Sequence, residues 1–312
     1  MSIARASRRL LTLTLMLIAC SLALAACGGG GAGATDTGAA DGRLPVVATF
    51  SILGDLVRNV GGDRIALTTL VGPDGDAHTF EPTPQDGVRL ARARVVFENG
   101  LGFEPWLDDL YRSADADGTR VVASRGVRPR ELDGEEDPHA WQDVRNAELM
   151  VRNVRDGLIA ADPAGAAVYR ANAARYLREL ERVDRFVAGQ IAAIPPERRR
   201  LVTDHDAFGY FSARYGIPVV GSVLGSVSTE AGDPSAGQVA DLARRIRATG
   251  VPAIFAENIA NPDAARALAA AAGVRFGPPL YSDALGPVGS PAATYLGLMR
   301  HNARALHDSL AG

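Results

Sequence analysis

The chain has 312 residues, 47% of them apolar, and a formal charge of −3. That length suits about two domains with a sizeable core in each, and the near-neutral balance offers no basic stripe for nucleic acid. Every basic side chain is Arg, and the two cysteines, Cys20 and Cys27, both lie near the N-terminus. A disulfide framework and a thiolate metal site in the folded body are thereby excluded.

Arg5, Arg8 and Arg9 precede an almost unbroken apolar run from Leu10 to Ala26. This is the pattern of a secretory signal, and Leu24-Ala25-Ala26-Cys27 matches a lipobox, so residues 1–27 are expected to be a lipoprotein signal peptide with Cys27 lipidated after cleavage. Ser7-Arg8-Arg9-Leu10-Leu11 also has the look of a twin-arginine signal, which leaves the export route open. Residues 28–44 are mostly Gly, Ala, Thr and Asp, with little to bury, and read as a flexible linker.

Residues 45–162 alternate strand and helix patterns and are expected to form an N-terminal lobe. Val46 to Phe50 is a short apolar strand, followed by a helix through Leu53, Leu56 and Val57 that ends at Gly61-Gly62. A second strand, Ile65 to Val71, runs into the turn-rich loop that carries His78. Thr83-Pro84 opens a further helix, Arg94 to Glu98 and Val121 to Ala123 read as strands, and the acidic stretch from Glu131 to Trp141 reads as a loop carrying His139. Residues 163–195 have apolar positions at helical spacing from Val168 to Ile194, between Asp162-Pro163 and Pro195-Pro196, and predict one linking helix of about 45 to 50 Å. Residues 196–312 repeat the first scheme as a C-terminal lobe. Its strand Leu201 to Thr203 delivers Asp204-His205-Asp206, its strand Ala253 to Ala256 ends in Glu257, and a short final strand leads to Asp283. The expected fold is therefore α/β: two similar lobes with parallel sheets joined by one long rigid helix, with the functional cleft between them.

Five histidines are present. His301 and His307 fall on the last helix, while His78, His139 and His205 fall in loops at strand ends beside acidic residues able to orient an imidazole. Their wide spacing is no compact ligand signature, so the residues alone leave a shared metal site and three separately hydrogen-bonded imidazoles both open.

Asp76-Ala77-His78-Thr79-Phe80-Glu81-Pro82, Asp137-Pro138-His139-Ala140-Trp141, His205-Asp206-Ala207-Phe208-Gly209 and Tyr281-Ser282-Asp283 resemble, in order, the four ligand motifs of the zinc- and manganese-binding solute-binding proteins of ABC importers. The resemblance runs from Val46 to the C-terminus. It implies two lobes on one long helix, with a metal held by His78 and His139 from the first and His205 and Asp283 from the second. Three imidazoles and one carboxylate suit tetrahedral Zn²⁺, with Mn²⁺ as the alternative. Asp206 and Glu257 are candidates for orienting the ligands, with helix capping or a surface ion pair an equal reading for Glu257. The resemblance further implies a membrane permease as partner, a lipid-anchored monomer outside the cytoplasm, and no enzymatic activity. The acidic stretch lacks the His-rich loop of many zinc members, so delivery by a periplasmic metallochaperone is a further expectation. The competing reading from another class is a zinc metallohydrolase with Asp283 as general base, which would need a water in the fourth position.

Overall fold

The computed structural model describes residues 42–132, 134–230 and 234–312; the signal peptide, Cys27 and nearly all of the linker lie outside them. β1 (Leu44–Phe50), β2 (Ile65–Val71), β3 (Val95–Glu98) and β4 (Thr119–Val122) form one parallel sheet in the order β2-β1-β3-β4. Its central strands β1 and β3 are largely buried apolar runs, while the edge strands β2 and β4 are part-exposed and carry Thr68, Thr69, Thr119 and Arg120. α1 (Ser51–Gly61) buries Ile52, Leu53, Leu56 and Val57, and α2 (Pro84–Ala91) is opened by a capping box between Thr83 and Asp86. α3 (Leu107–Ser113) follows β3. The acidic stretch expected as a loop contains an antiparallel hairpin, β5 (Arg130–Leu132) with β6 (Glu135–Asp137). Its residues are mostly exposed, so no apolar alternation announced the strands.

α4 (Val144–Ala161) starts at the Asp143 cap. The linking helix is shorter than its expected span: Pro163–Gly165 forms a tight 3-10 turn capped by Asp162, and α5 runs from Ala166 to Ala192. At 1.5 Å per residue it is about 40 Å long. Asp162 holds the turn by accepting from Gly165 N, Tyr169 Oη and Arg64. Tyr169, Ala173, Tyr176, Leu180, Val183, Val187 and Ile191 recur every three to four residues and are buried, one continuous stripe along the rod.

The second half has shorter strands in the same arrangement. β7 (Leu201–Thr203) pairs in parallel with β8 (Val219–Ser222), and β9 (Ala253–Ile254) with β10 (Arg275–Phe276). Phe255 N donates to Val202 O at 3.1 Å and links β7 to the β9 chain. The resulting order, β8-β7-β9-β10, repeats the 2-1-3-4 order of the first sheet. Around it lie α6 (Gly209–Tyr215), α7 (Ala236–Thr249), α8 (Asp263–Ala272) and α9 (Tyr295–Leu310). α7 closes on Gly250 in the left-handed conformation, as its position after Thr249 requires.

One apolar cluster joins Phe50, Leu56 and Val154 of the first half through the α5 stripe to Phe208, Phe211, Leu298 and Leu306 of the second. A separate cluster around Val202, Ile246, Ile254 and Leu268 fills the outer side of the second half. The α5 helix is thus embedded in a core shared by both halves, an arrangement that resists hinge bending.

Candidate metal centre

His78, in the loop after β2, His139, after β6, His205, after β7, and Asp283, in the segment before α9, lie far apart in the chain. The fold brings one nitrogen or oxygen of each within 4.8 Å of the others. His78 is 5% exposed and the other three are fully buried. All three imidazoles converge through Nε2: His139 Nε2 is 3.4 Å from that of His78 and 3.2 Å from that of His205. Asp283 Oδ2 lies 3.4 Å from His78 Nε2 and 3.1 Å from His205 Nε2, and Oδ1 lies 3.5 Å from His139 Nε2.

The opposite ring nitrogens of His139 and His205 face carboxylates. Asp137 Oδ1 meets His139 Nδ1 at 2.8 Å and also accepts from the His139 backbone. Glu257 Oε2 lies 2.7 Å from His205 Nδ1, an ion-pair distance outside the alignment of a regular hydrogen bond. Its Oε1 accepts from Asp204 N and His205 N, and it is buried, so it is neither a surface ion pair nor a helix cap. In the neutral imidazole a carboxylate at Nδ1 fixes the proton there and leaves the Nε2 lone pair directed into the cluster. Asp206 instead accepts from Ser222 Oγ. Phe103 and Trp141 pack edge-on against the imidazoles, Phe103 on His78 and Trp141 on His139.

The electrostatics follow from this crowding. Burial opposes charge on His139, but Asp283 and Asp137 outweigh it and raise its pKa to about 9. Burial opposes charge on His205 too, and Glu257 and Asp283 raise it nonetheless. Burial pushes Asp283 upward, but His205 and His139 outweigh it and hold the carboxyl well below the usual carboxylate range. Neither Asp283 oxygen has an aligned hydrogen-bond donor among the described residues. A fully buried carboxylate aimed, without such a donor, at three imidazole nitrogens is a donor set for a cation. Ligands at about 2.0 to 2.1 Å around a tetrahedral Zn²⁺ stand about 3.3 Å apart, close to the 3.1 to 3.5 Å of the five separations above.

Sequence reasoning missed the clamp on Asp283. Trp141 Nε1 and Gln142 Nε2 each donate to Ser282 O at 2.9 Å, so the turn after His139 grips the residue before Asp283. From the other side, buried Asn302 on α9 pairs with both backbone groups of Tyr281. A second network runs from Thr49 through Glu104 to Asn99, whose Nδ2 donates to Pro138 O beside His139. No spacing rule points to Trp141, Gln142, Asn302 or Asn99, because each acts on a backbone atom of a distant segment.

Comparison with known proteins agrees with the architecture. Residues 46–309 match the family described as zinc-uptake complex component A, periplasmic (ZnuA). The chain is 37% identical over 270 residues to the manganese-binding lipoprotein MntA of Halalkalibacterium halodurans, covering 86% of this chain and 89% of that one. It is 30% identical over 263 residues to the iron-binding protein YfeA of Yersinia pestis, covering 82% and 83%. The solved periplasmic zinc-binding protein TroA of Treponema pallidum superposes with a TM-score of 0.82 at 32% identity, over 87% of this chain and all of the other. Such proteins are transport receptors and not enzymes. This chain belongs to the zinc-uptake component A family, the metal-binding solute-binding proteins of ABC importers.

Proposed function

We propose that this chain is an extracytoplasmic receptor that holds one Zn²⁺ between His78, His139, His205 and Asp283 and delivers it to the permease of an ABC importer. The observation that carries the reading is the convergence of three Nε2 atoms on the buried carboxylate of Asp283. Three neutral imidazoles and one carboxylate give Zn²⁺ a complete tetrahedral shell, and for such donors zinc binds more tightly than manganese. A shell filled by protein suits carriage; a metallohydrolase needs an open position for water. Lipidation at Cys27 would tether the receptor to the membrane as a monomer, and a periplasmic metallochaperone would supply the metal in place of a His-rich loop.

Manganese is the second reading, on one specific observation. Both oxygens of Asp283 face the imidazoles, so a bidentate carboxylate would give the fifth donor that Mn²⁺ favours. The name of the MntA relative supports it. Competition titration of metal-free protein with Zn²⁺ and Mn²⁺ separates the two. Zinc binding at one per chain, unreversed by excess manganese, is expected; displacement of zinc by stoichiometric manganese would overturn the zinc reading.

A further inference from the structure

The loop that carries His78 is tied to the second half of the molecule through Asp76. One oxygen, Oδ1, accepts from His78 N at 2.8 Å and so fixes the ligand's backbone. The other, Oδ2, accepts from Thr229 Oγ1 at 2.5 Å, across 153 positions of sequence. Thr229 is half-buried and belongs to the segment after β8, which is pinned at its base by Leu224 N to Asp204 O and Asp206 N to Ser226 O.

That segment also borders a cavity that reaches His78. The cavity, of about 370 Å³, has His78 in its wall and is lined also by Val227, Ser228 and Glu230 of the second half and by Leu101 and Glu136 of the first. His78 is the most exposed member of the metal cluster. Metal leaving the cluster by this cavity therefore passes the segment that Thr229 fastens.

We infer that Thr229 is a positioning residue of the metal centre, acting through Asp76 to hold His78 in place and to keep the 226–230 segment closed against it. The inference rests on the metal-carrier reading above and deepens it, because it assigns a side chain that controls how long the metal stays. The hydroxyl donates to a carboxylate, a stronger bond than one between neutral groups, and its loss frees the one oxygen that links the two halves at this ligand. Other ties remain when it is cut: Asp74 N still donates to Leu285 O, and Asn258 Nδ2 to Asp74 Oδ1. The fold is thus expected to survive while the centre opens more often.

The test is the rate at which the zinc-loaded full chain gives up its metal to a chromogenic chelator in excess. Thr229→Val removes the donor and is expected to speed release about tenfold or more. Thr229→Ser restores the hydroxyl and should return the rate to within about twofold of wild type, which a merely structural role for the side chain would not do. In an Asp76→Ala background, Thr229→Val should add nothing, since the partner is already gone. Release by Thr229→Val at the wild-type rate, or equal acceleration by Thr229→Ser, would overturn the inference and leave the carrier reading intact. A wild-type chain that retains no stoichiometric zinc would overturn both.

Discussion

Glu257 offers the sharpest perturbation of the centre. Its Oε1 accepts two backbone N–H groups, from Asp204 at 3.0 Å and His205 at 2.9 Å, while Oε2 stands 2.7 Å from His205 Nδ1. In Glu257→Gln the two backbone donors hold the amide oxygen at the Oε1 place, so the amide NH₂ turns toward Nδ1. The NH₂ can only donate, and the favoured imidazole then carries its proton on Nε2, pointing into the metal cluster. The charge-assisted interaction that this substitution removes is worth about 1.5 to 3 kcal/mol, or roughly 10- to 100-fold in zinc affinity, the range usual for residues that orient a metal-bound histidine. Competition with a chelator of known affinity reads the change, and the melting temperature of the metal-free variant reports whether the fold is kept. Affinity within about twofold of wild type, in a folded variant, would refute the orienting role of Glu257.

Three further outcomes follow from the charges and packing. With the His139 pKa raised to about 9, the metal-free centre is protonated at pH 7.5, so zinc binding should release at least one proton and tighten as pH rises. Calorimetry in buffers of different ionisation enthalpy measures this, and identical heats in all of them would contradict it. Burial lifts Glu104 to about 7 despite its bonds from Thr49, Asn99 and Gly100, so the folded state favours its neutral form. Its stabilising effect is complete below about pH 4.5 and lost as pH rises through about 7, roughly 3 kcal/mol in all. Wild type should therefore lose stability relative to Glu104→Gln between pH 5 and 8 in urea titrations; a constant difference would refute the shift. Because α5 lies in a core shared by both halves, small-angle scattering of metal-free and zinc-bound protein should give nearly the same radius of gyration, and a large contraction would count against a stiff linking helix.

Much of this architecture is legible from local chemistry. The caps at Thr83, Asp143 and Ser235 and the glycine stop at Gly250 mark helix ends within a residue or two, because each satisfies a backbone group inside its own segment. His78 and His205 are readable as residues of loops beyond strand ends because the apolar runs Ile65–Val71 and Leu201–Thr203 mark the strands before them. Glu257 is not legible in its role, since only the alignment of β9 beside β7 puts it next to His205, and a lone Glu at a strand end has equally good local readings. The β5–β6 hairpin escapes because Arg130–Leu132 and Glu135–Asp137 are held by backbone pairing with few buried side chains, and the apolar alternation that marks a strand never arises. Gln142 and Asn302 act on carbonyl and amide groups of the Tyr281–Asp283 segment, interactions to which any sequence pattern is blind.

The central claim is that four side chains from both halves hold one metal ion. Its most direct test is zinc titration of the wild-type protein and of the four variants His78→Ala, His139→Ala, His205→Ala and Asp283→Ala. One tight zinc per wild-type chain is expected, weakened about 100-fold or more by removal of any of the four. Wild-type affinity in the His205→Ala or Asp283→Ala variant would contradict the claim, since the second half would then contribute no ligand at that position.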